Sequence, residues 1–244
     1  RDICKMKKKY PFVSVVINCY NGESFLREAI ESVYKQTYNN WEIVFWDNCS
    51  TDQSSTIAKS FDKKLKYFKS DQTTELGEAR VSAVNEAKGD FIAFLDSDDL
   101  WMEDKLKDQI EVFLSSKKPL GLVYGRSEVI FEEKKEKNFI HLEDKILPDG
   151  DVLGELAREN FIVFSSAVVD RVAFYKCGGF KKHLKNSMDY SIFLKLAKNY
   201  RFGVIQEVCC KNRIHKENLS NKQKVVGAIE AIEAVKSILP DKRV

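Results

Sequence analysis

The stretch Phe91-Ile92-Ala93-Phe94-Leu95-Asp96-Ser97-Asp98-Asp99-Leu100-Trp101 joins five apolar residues to a cluster of three carboxylates. A continuous apolar run of this length is typical of a strand that is buried on both faces, as in a parallel sheet. The carboxylates follow where that strand ends, which is the edge of the sheet where parallel-sheet proteins bind their ligands. The stretch therefore predicts both a buried sheet and a ligand site at its edge.

The cluster of Asp96, Asp98 and Asp99 has two interpretations. Ionised carboxylates this close repel one another, so they need a proton, screening by solvent and basic residues, or a divalent cation between them. Ligands that are all oxygen favour magnesium or manganese. The alternative is a solvated acidic turn that caps the next helix, and an isolated Asp-x-Asp pattern does not choose between the two.

The composition indicates one large globular domain. The chain has 244 residues, of which 43% are hydrophobic, and this is enough for a sizeable core. Its 40 basic and 37 acidic residues leave a net charge of +3, so a nucleic-acid partner is not expected. The six cysteines form no Cys-x-x-Cys pair, which favours reduced thiols in a cytoplasmic protein over disulfides or a zinc site.

The basic run Lys5-Met6-Lys7-Lys8-Lys9 belongs to a predicted tail, residues 1–10. We expect this tail to be solvated, because one short basic run gives little membrane affinity. Contact with anionic lipid at the inner face of the membrane is the alternative, and it would make the protein peripheral. No apolar run approaches the ~20 residues that span a bilayer, and no signal peptide is expected at the start of the sequence.

Strands and helices are predicted to alternate through the first half of the chain. Apolar, β-branched runs predict the strands, and amphipathic runs between them predict the helices. This order favours an α/β fold with a Rossmann-like, mostly parallel sheet and helices on both faces. The predicted strands are 12–17, 42–46, 66–68, 91–95 and 121–125, and the helices begin at Ser24, near 50–52, at Gly77 and at Glu103.

The second half of the chain is less regular. Residues 126–151 are charged and predict an excursion from the domain. The later segments predict a strand within 165–169, a tight turn at 178–180, a helix over 189–200, a strand over 202–210 and a polar loop over 213–218.

A final helix, 225–239, carries an apolar stripe. We expect this stripe to pack on the domain, and the seam of a homodimer is the alternative. The stripe consists of Val225, Ile229, Ile232, Val235 and Leu239.

Five short blocks occur in a defined order in the first half of the chain. They are 11–21 (PFVSVVINCYN), 32–37 (SVYKQT), 46–52 (WDNCSTD), 76–80 (LGEAR) and 95–99 (LDSDD). In this order the blocks resemble those of inverting family 2 glycosyltransferases, which have the GT-A fold. The resemblance covers about residues 11–220, and the blocks 178–180, 188–190 and 213–215 are similar to later blocks of the family.

The resemblance implies a division of a single domain into functional halves. Residues 11–125 would bind the nucleotide-sugar donor. Residues 126–220 would bind the acceptor and carry the catalytic base, with acceptor choice expected in 126–187, and residues 221–244 would form a C-terminal helix.

The resemblance also implies a divalent cation, Mn²⁺ or Mg²⁺. Such a cation polarises phosphoryl oxygens and stabilises the charge that builds up on a leaving diphosphate. In the family pattern Asp98 is the metal ligand of the Asp-x-Asp motif, and Asp96 contacts the ribose or the water shell of the metal. Asp99 supports the cluster, and His215 completes the metal site or closes over the diphosphate.

The nucleotide site follows from the same resemblance. Tyr20 would stack on the base, and Arg80 would supply positive charge. Many members of the family carry Asp-Asp where this chain has Asp47-Asn48, and Asn offers a donor as well as an acceptor. A UDP-sugar is nevertheless favoured. The residues assigned to nucleotide-sugar binding are Tyr20, Asn21, Asp47, Asn48, Arg80, Asp96 and Arg213.

Asp189 matches the position of the general base in the family. An inverting transfer needs one base to deprotonate the acceptor hydroxyl as it attacks the anomeric carbon. A helix N-terminus lowers the basicity of a carboxylate and burial raises it, so the sequence leaves the outcome open. The usual Glu-Asp pair of the family reads Met188-Asp189 here.

The sequence pattern favours a non-processive transferase. No Gln-x-x-Arg-Trp block follows Asp189, which disfavours a processive synthase. The expected reaction adds one sugar to a saccharide or polyprenyl-linked acceptor in bacterial surface polysaccharide biosynthesis. Two alternatives stay open, a nucleotide-sugar-binding domain that has lost turnover and a sugar nucleotidyltransferase.

Overall fold

The computed structural model describes residues 10–133, 136–239 and 241–243. The basic run of residues 5–9 and Cys4 lie outside the described residues. The remaining predictions can be compared with the structure directly.

Four parallel strands form the first half of the sheet. They are β1 (Val13–Cys19), β2 (Trp41–Asp47), β3 (Leu65–Lys69) and β4 (Phe91–Phe94), in the order β3-β2-β1-β4. Val13 pairs with Trp41 on one side and with Phe91 on the other. The carboxyl ends of β1, β2 and β4 therefore lie side by side at one edge of the sheet.

Helices cover both faces of this sheet, as the sequence predicted. The helices α1 (Leu26–Tyr34), α2 (Ser54–Lys59) and α4 (Lys105–Ser115) pack on one face. The helix α3 (Leu76–Asn85) packs on the other. Alternate residues of β1 point into the two cores, and this explains why the strand reads as a continuous apolar run.

The sheet continues through five further strands, which are β5 (Leu100–Trp101), β6 (Leu120–Phe131), β7 (Phe139–Ile140), β8 (Val168–Asp170) and β9 (Arg201–Ile214). The full order is β3-β2-β1-β4-β8-β6-β9-β5, and β7 pairs with β6. The antiparallel pairings of β8, β5 and β7 are short, whereas β6 and β9 run parallel from Leu120↔Arg201 to Phe131↔Ile214. The sheet is thus mostly parallel.

The second half of the chain adds helices to the α3 face. They are α5 (Leu153–Arg158), α6 (Arg171–Lys176), α7 (Met188–Asn199) and α9 (Lys224–Ile238), with a 3₁₀ turn at Phe164–Ser166. The short helix α8 (Leu219–Lys222) precedes α9. Helix α7 is buried in the core of this face, and α9 packs against α7. Within the described residues, no helix combines the length and the apolar character that crossing a membrane requires.

Three sequence predictions for the second half of the chain are wrong in detail. Residues 126–131 were assigned to an excursion and 213–214 to a polar loop, but both extend the β6–β9 pair. Half of their residues are polar, namely Arg126, Ser127, Glu128 and Arg213, so these segments lack the continuous apolar run that predicts a buried strand. The predicted strand 165–169 divides into the 3₁₀ turn and β8.

The predicted packing face of α9 is wrong for four of its five residues, since Val235 alone of the stripe packs against the core. Val225, Ile229 and Ile232 are 74%, 53% and 55% exposed, and Leu239, just past the helix, is 49% exposed. The helix instead turns Gly227, Glu230, Ala234 and Ile238 toward the domain. Both faces have helical spacing, so periodicity alone could not choose between them, and the smaller residues allow the closer approach.

Candidate active site

One cleft of about 1230 Å³ contains most of the predicted site residues. It opens at the carboxyl ends of β1 and β4 and extends to α5, the start of α7, and α9. Seven of the predicted residues line it, namely Tyr20, Asn21, Arg80, Asp96, Asp98, Asp189 and His215. Asp47, Asn48, Asp99 and Arg213 do not line it.

The Asp98 end of the cleft is closed by the loop that follows β9. His215 Nε2 lies 2.8 Å from Asp98 Oδ2, and Asn218 Nδ2 donates to the same oxygen at 3.2 Å. The backbone N–H of Glu217 donates to His215 Nδ1, so the ring proton is assigned to Nε2, facing Asp98. The ring of Phe25 lies 4.9 Å from the imidazole and supports it from the side.

Asp98 and His215 are the residues best placed to hold a metal ion. In the part of the chain that the structure describes, no three His, Cys, Asp or Glu side chains come together as a complete protein site. The Asp98 carboxylate nevertheless fits a cation such as Mg²⁺ or Mn²⁺, because Mg²⁺ takes one or two protein carboxylates and keeps phosphate oxygens and waters. The donor set thus fits a metal that is shared with a diphosphate.

Asp99 points away from the cleft and is 1% exposed. Its carboxylate accepts hydrogen bonds from Ser165 Oγ at 2.5 Å and from the backbone N–H of Arg213 at 2.8 Å, and Asn212 Nδ2 lies at 3.2 Å. Burial raises the pKa of Asp99 well above its usual value, and the nearby carboxylates of Asp98 and Asp96 raise it further. Asp99 therefore ties the loop after β4 to β9 from beneath.

Arg80 reaches across the cleft floor from α3 to Asp96. Its Nη2 donates to Asp96 Oδ1 at 2.9 Å, and the guanidinium lies 3.8 Å from the ring centre of Phe164. Burial raises the pKa of Asp96 to about 6 even though Arg80 lowers it, with Asp98 and Asp189 adding to the rise. Arg80 Nε is buried without a hydrogen-bond partner, so this cation has a donor to spare.

Asp189 lies in the first turn of α7 and faces the cleft. Burial raises its pKa, and this effect exceeds the opposing effects of Arg80 and of the backbone N–H groups at the helix start. The sequence left open whether burial or the helix N-terminus decides the basicity of Asp189. Burial has the larger effect here, which makes Asp189 a stronger base. A carboxylate with a raised pKa in a cleft is suited to accept a proton from a substrate.

The loop after β1 is fastened to the loop after β2. Asn21 has a left-handed backbone with φ of 52°, and its Oδ1 accepts from the backbone N–H of Thr51 at 2.8 Å. The backbone N–H of Gly22 donates to Ser54 Oγ at 2.9 Å. This leaves Tyr20 54% exposed at the rim of the cleft, where its ring is free to contact a ligand.

Asp47 and Asn48 are buried beneath these loops. Asp47 accepts from Ser50 N–H at 2.7 Å and from Tyr67 OH at 2.6 Å. Asn48 bonds both ways with Thr74, through Nδ2 to the backbone oxygen at 2.8 Å and through Oδ1. These side chains shape the loops, and a direct contact of either with a nucleoside stays a prediction.

Arg213 is the second-to-last residue of β9 and supports the loop that carries Asp98. Its Nε donates to the backbone oxygen of Asp98 at 2.9 Å, its Nη2 pairs with Glu28 at 2.7 Å, and the guanidinium lies over the Phe25 ring at 4.5 Å. A contact of Arg213 with a nucleotide likewise stays a prediction.

Comparison with known proteins assigns the chain to a family. The sequence profile of glycosyl transferase family 2 matches residues 14–220. The chain belongs to this family. It is a glycosyltransferase, and its mixed α/β domain has the GT-A fold that the resemblance implied.

Among curated relatives of this family 2 glycosyltransferase, an Escherichia coli protein is 29% identical over 86% of the chain and 80% of its own length. That protein is named UDP-Glc:alpha-D-GlcNAc-diphosphoundecaprenol beta-1,3-glucosyltransferase WfgD. A glycosyltransferase of Rickettsia felis is 29% identical, and the chain spans only 36% of its length.

Two solved structures share the fold. TarS of S. aureus, in complex with UDP-GlcNAc, has a TM-score of 0.70 and 20% identity over 85% of the chain and 60% of its own. The mannosyltransferase PcManGT from Pyrobaculum calidifontis, in complex with GDP-Man and Mn²⁺, has a TM-score of 0.69 and 19% identity over 93% of the chain and 65% of its own. The chain thus spans less than two thirds of either solved protein.

Three residues of this glycosyltransferase site were missed by sequence reasoning. Ser165 joins Asp99 to the backbone N–H of Asp96, Asn218 contacts Asp98, and Glu230 binds the loop before α7. Asn218 could have been found, since a polar residue shortly after Arg-x-His favours a turn next to the predicted site residue His215. The sequence feature that points to Glu230 is weaker, namely an acidic residue between apolar positions of a helix. No sequence feature points to Ser165.

Proposed function

We propose that this protein is a metal-dependent, inverting glycosyltransferase that moves one sugar from a nucleotide-diphosphate sugar to a hydroxyl group of an acceptor. The observation that carries this proposal is the composition of the cleft. It brings the pair Asp98 and His215 into the same space as a partly buried carboxylate of raised pKa, Asp189. The first suits a diphosphate leaving group and the second suits an acceptor hydroxyl.

The metal would be Mn²⁺ or Mg²⁺, held by Asp98, and by His215 if its Nε2 gives up the proton that faces Asp98. When bound, it stabilises the negative charge of the departing diphosphate. Asp96 would contact the ribose or the water shell of the metal, and Asp99 would support the site from below. The Mn²⁺ in the PcManGT complex is consistent with this assignment.

Asp189 would act as the general base. The acceptor oxygen attacks the anomeric carbon from the side opposite the diphosphate, and the bond from that carbon to the phosphate oxygen breaks. The hydroxyl proton passes to Asp189, and the electron pair of the broken bond leaves with the nucleoside diphosphate. One displacement of this kind inverts the anomeric configuration.

The donor is proposed to be a UDP-sugar bound near Tyr20. The exposed ring of Tyr20 would stack on the base, and Arg80, which lines the cleft, would supply positive charge to the anionic donor. Asn21, Asp47, Asn48 and Arg213 would order the surrounding loops and complete the nucleotide site. UDP is favoured because WfgD is named for UDP-Glc and TarS was solved with UDP-GlcNAc.

The acceptor is proposed to be a saccharide carried on a polyprenyl diphosphate. The far wall of the cleft is apolar, formed by Ala228, Ala231, Ile232 and Val235 of α9. WfgD is named for a GlcNAc-diphosphoundecaprenol acceptor. These two observations support a role in bacterial surface polysaccharide synthesis, with residues 11–125 serving the donor and 126–220 the acceptor.

Binding of nucleoside diphosphates tests the proposal directly. UDP, GDP, dTDP and CDP would be titrated into the protein by calorimetry, first with Mn²⁺ and then with a chelator. We expect UDP to bind tightest, the chelator to weaken binding by about tenfold or more, and Asp98→Ala to remove the metal effect. The matched control is Asp144→Ala, an exposed carboxylate outside the cleft.

Two outcomes contradict the proposal. Binding that ignores both metal and Asp98 would show that the pair holds no cation. Release of inorganic diphosphate from a nucleoside triphosphate and a sugar phosphate, instead of transfer from a nucleotide sugar, would identify a nucleotidyltransferase.

A further inference from the structure

Glu230 of α9 binds the backbone just before α7. Its Oε1 accepts the N–H of Lys185 at 2.7 Å, and its Oε2 accepts the N–H groups of Asn186 at 2.9 Å and Ser187 at 2.8 Å. Glu230 is only 9% exposed. A buried carboxylate is stable only when its charge is met, and here three N–H groups and the positive end of a helix meet it.

This contact replaces the local cap that a helix usually has. Ser187 is at the N-cap position of α7, but its side chain makes no cap hydrogen bond. Ser187 Oγ donates to the backbone oxygen of Gly227 at 2.9 Å instead. The start of α7 is therefore held by a different helix, more than forty residues further along the chain.

The approach of α9 to this loop is close. A side-chain Cβ at Gly227 would lie 3.0 Å from Asn186 Oδ1, so the glycine leaves room for the loop. The loop has one further tie, the ion pair of Lys185 with Glu75 at 2.8 Å. That pair is about half exposed and such pairs add little, so Glu230 is the main anchor.

Asp189 comes two residues after this anchored loop. Position 188, between the loop and Asp189, is a methionine that is buried in the core. It therefore offers the cleft no second carboxylate beside Asp189. The charged groups that act on Asp189 are Arg80 from α3, Asp96 from the loop after β4, and Glu230 from α9. Of these, Glu230 is the one that also fixes the backbone on which Asp189 is carried.

We propose that Glu230 is a positioning residue for catalysis, which fixes the start of α7 and so holds Asp189 against the acceptor. The inference rests on the proposed role of Asp189 as general base. It makes α9 part of the catalytic apparatus and not an appendage. Small displacements of a catalytic group have large effects on rate, about 100-fold for 1 Å.

The test compares Glu230→Gln and Glu230→Ala with Glu233→Gln, an exposed carboxylate on the same helix. Gln has one oxygen acceptor, so at least one of the three hydrogen bonds is lost, and Ala loses all three. We expect kcat to fall about tenfold for Gln and about 100-fold for Ala. UDP affinity and the KM of the donor should stay unchanged, because Glu230 binds the loop before Asp189 and not the loops around Tyr20.

A second measurement does not depend on turnover. The carboxyl carbon of Asp189 would be titrated by NMR in the wild type, in Glu230→Gln and in Glu233→Gln. The negative charge of Glu230 raises the pKa of Asp189, so removing that charge should move its titration to lower pH. The acid limb of the kcat profile should move in the same direction.

The outcomes distinguish the two proposals. If kcat and the Asp189 titration of Glu230→Gln match those of Glu233→Gln, Glu230 is structural only and the inference is overturned. If the wild type binds no nucleotide and transfers no sugar, the proposed function fails whatever the titration shows. If Glu230→Ala does not fold, Glu230→Gln alone decides.

Discussion

The cleft has a nucleoside end, around Tyr20 and Asn21, and a base end, around the proposed general base Asp189. The two ends are built in different ways. At the nucleoside end, the loops after β1 and β2 bond to each other, through Asn21 to Thr51 and Gly22 to Ser54. These loops follow neighbouring parallel strands, so the sheet itself brings them together. At the base end, the loop before α7 is held by Glu230, which no strand pairing places there.

This difference indicates which parts of the site depend on the sheet and which depend on a late helix. The nucleoside end is fixed once β1 and β2 pair. The base end becomes fixed only when α9 has docked on α7. A variant that disturbs one end should therefore leave the other nearly intact, and four predictions bear on this.

The largest expected effect comes from Asp189→Asn, which separates the two ends completely. Asn has the shape of Asp but cannot take a proton as a base, so kcat should fall about 1000-fold. UDP affinity by calorimetry should not change, because the nucleoside end is untouched. Asp144→Asn, on the exposed surface, is the control and should behave as wild type.

The pH profile of the wild type sharpens the same point. A general base works only when ionised, and burial raises the pKa of Asp189. The acid limb of kcat should therefore lie above about pH 4, where an ordinary Asp titrates, and Asp189→Asn should lack this limb. An acid limb at or below that pH in the wild type would mean that Asp189 is not the titrating base.

A smaller effect is expected from Asn21→Ala at the nucleoside end. The change removes the hydrogen bond to Thr51 and places Ala in the left-handed region, so the free energy of unfolding should fall by about 1–2 kcal/mol. Thermal and denaturant unfolding would measure it, together with weaker UDP binding. Asn21→Gly tolerates the backbone and loses only the side-chain bond, so it separates the two causes.

If Asn21→Ala also moved the acid limb of kcat, the two ends would be coupled and the comparison would be broken. An unchanged limb would support their independence.

The smallest effect is expected from Ile229→Ala on the outer face of α9. Ile229 is 53% exposed, so the free energy of unfolding should change by no more than about 0.5 kcal/mol. Ile238→Ala is the matched variant on the inner face, where the side chain is 1% exposed, and it should cost about 2–4 kcal/mol. Equal costs at the two positions would mean that α9 docks through both faces.

At the nucleoside end, the sequence predicted the position of the loops better than the role of each side chain, since Tyr20 and Asn21 line the cleft whereas Asp47 and Asn48 are buried beneath the loops. Buried parallel strands give continuous apolar runs, and polar residues at their ends must meet at one edge, so the placement of Tyr20, Asn21 and Asp98 in one cleft followed. The family resemblance added His215 and Asp189, and the structure places both in that cleft.

What could not be predicted depends on contacts between distant segments. The apolar stripe of α9 and its true packing face have the same helical spacing, and only the shape of α7 selects Gly227 and Ala234 over Ile229. Asp99 looked like one more carboxylate of the cluster, and its turn toward Ser165 and Arg213 depends on β9. The hydrogen-bond partners of Glu230 are backbone N–H groups, so no sequence motif identifies them.

The three hydrogen bonds to Glu230 have a consequence for how this chain can vary between relatives. Their donors are backbone N–H groups, which every residue except proline supplies. These three hydrogen bonds therefore constrain the carboxylate at 230 but not the side chains at 185–187, whose own contacts are with Glu75 and Gly227. Paired substitutions would not reveal the contact, and a relative that lost Glu230 could not regain the anchor by any compensating side chain at those three positions.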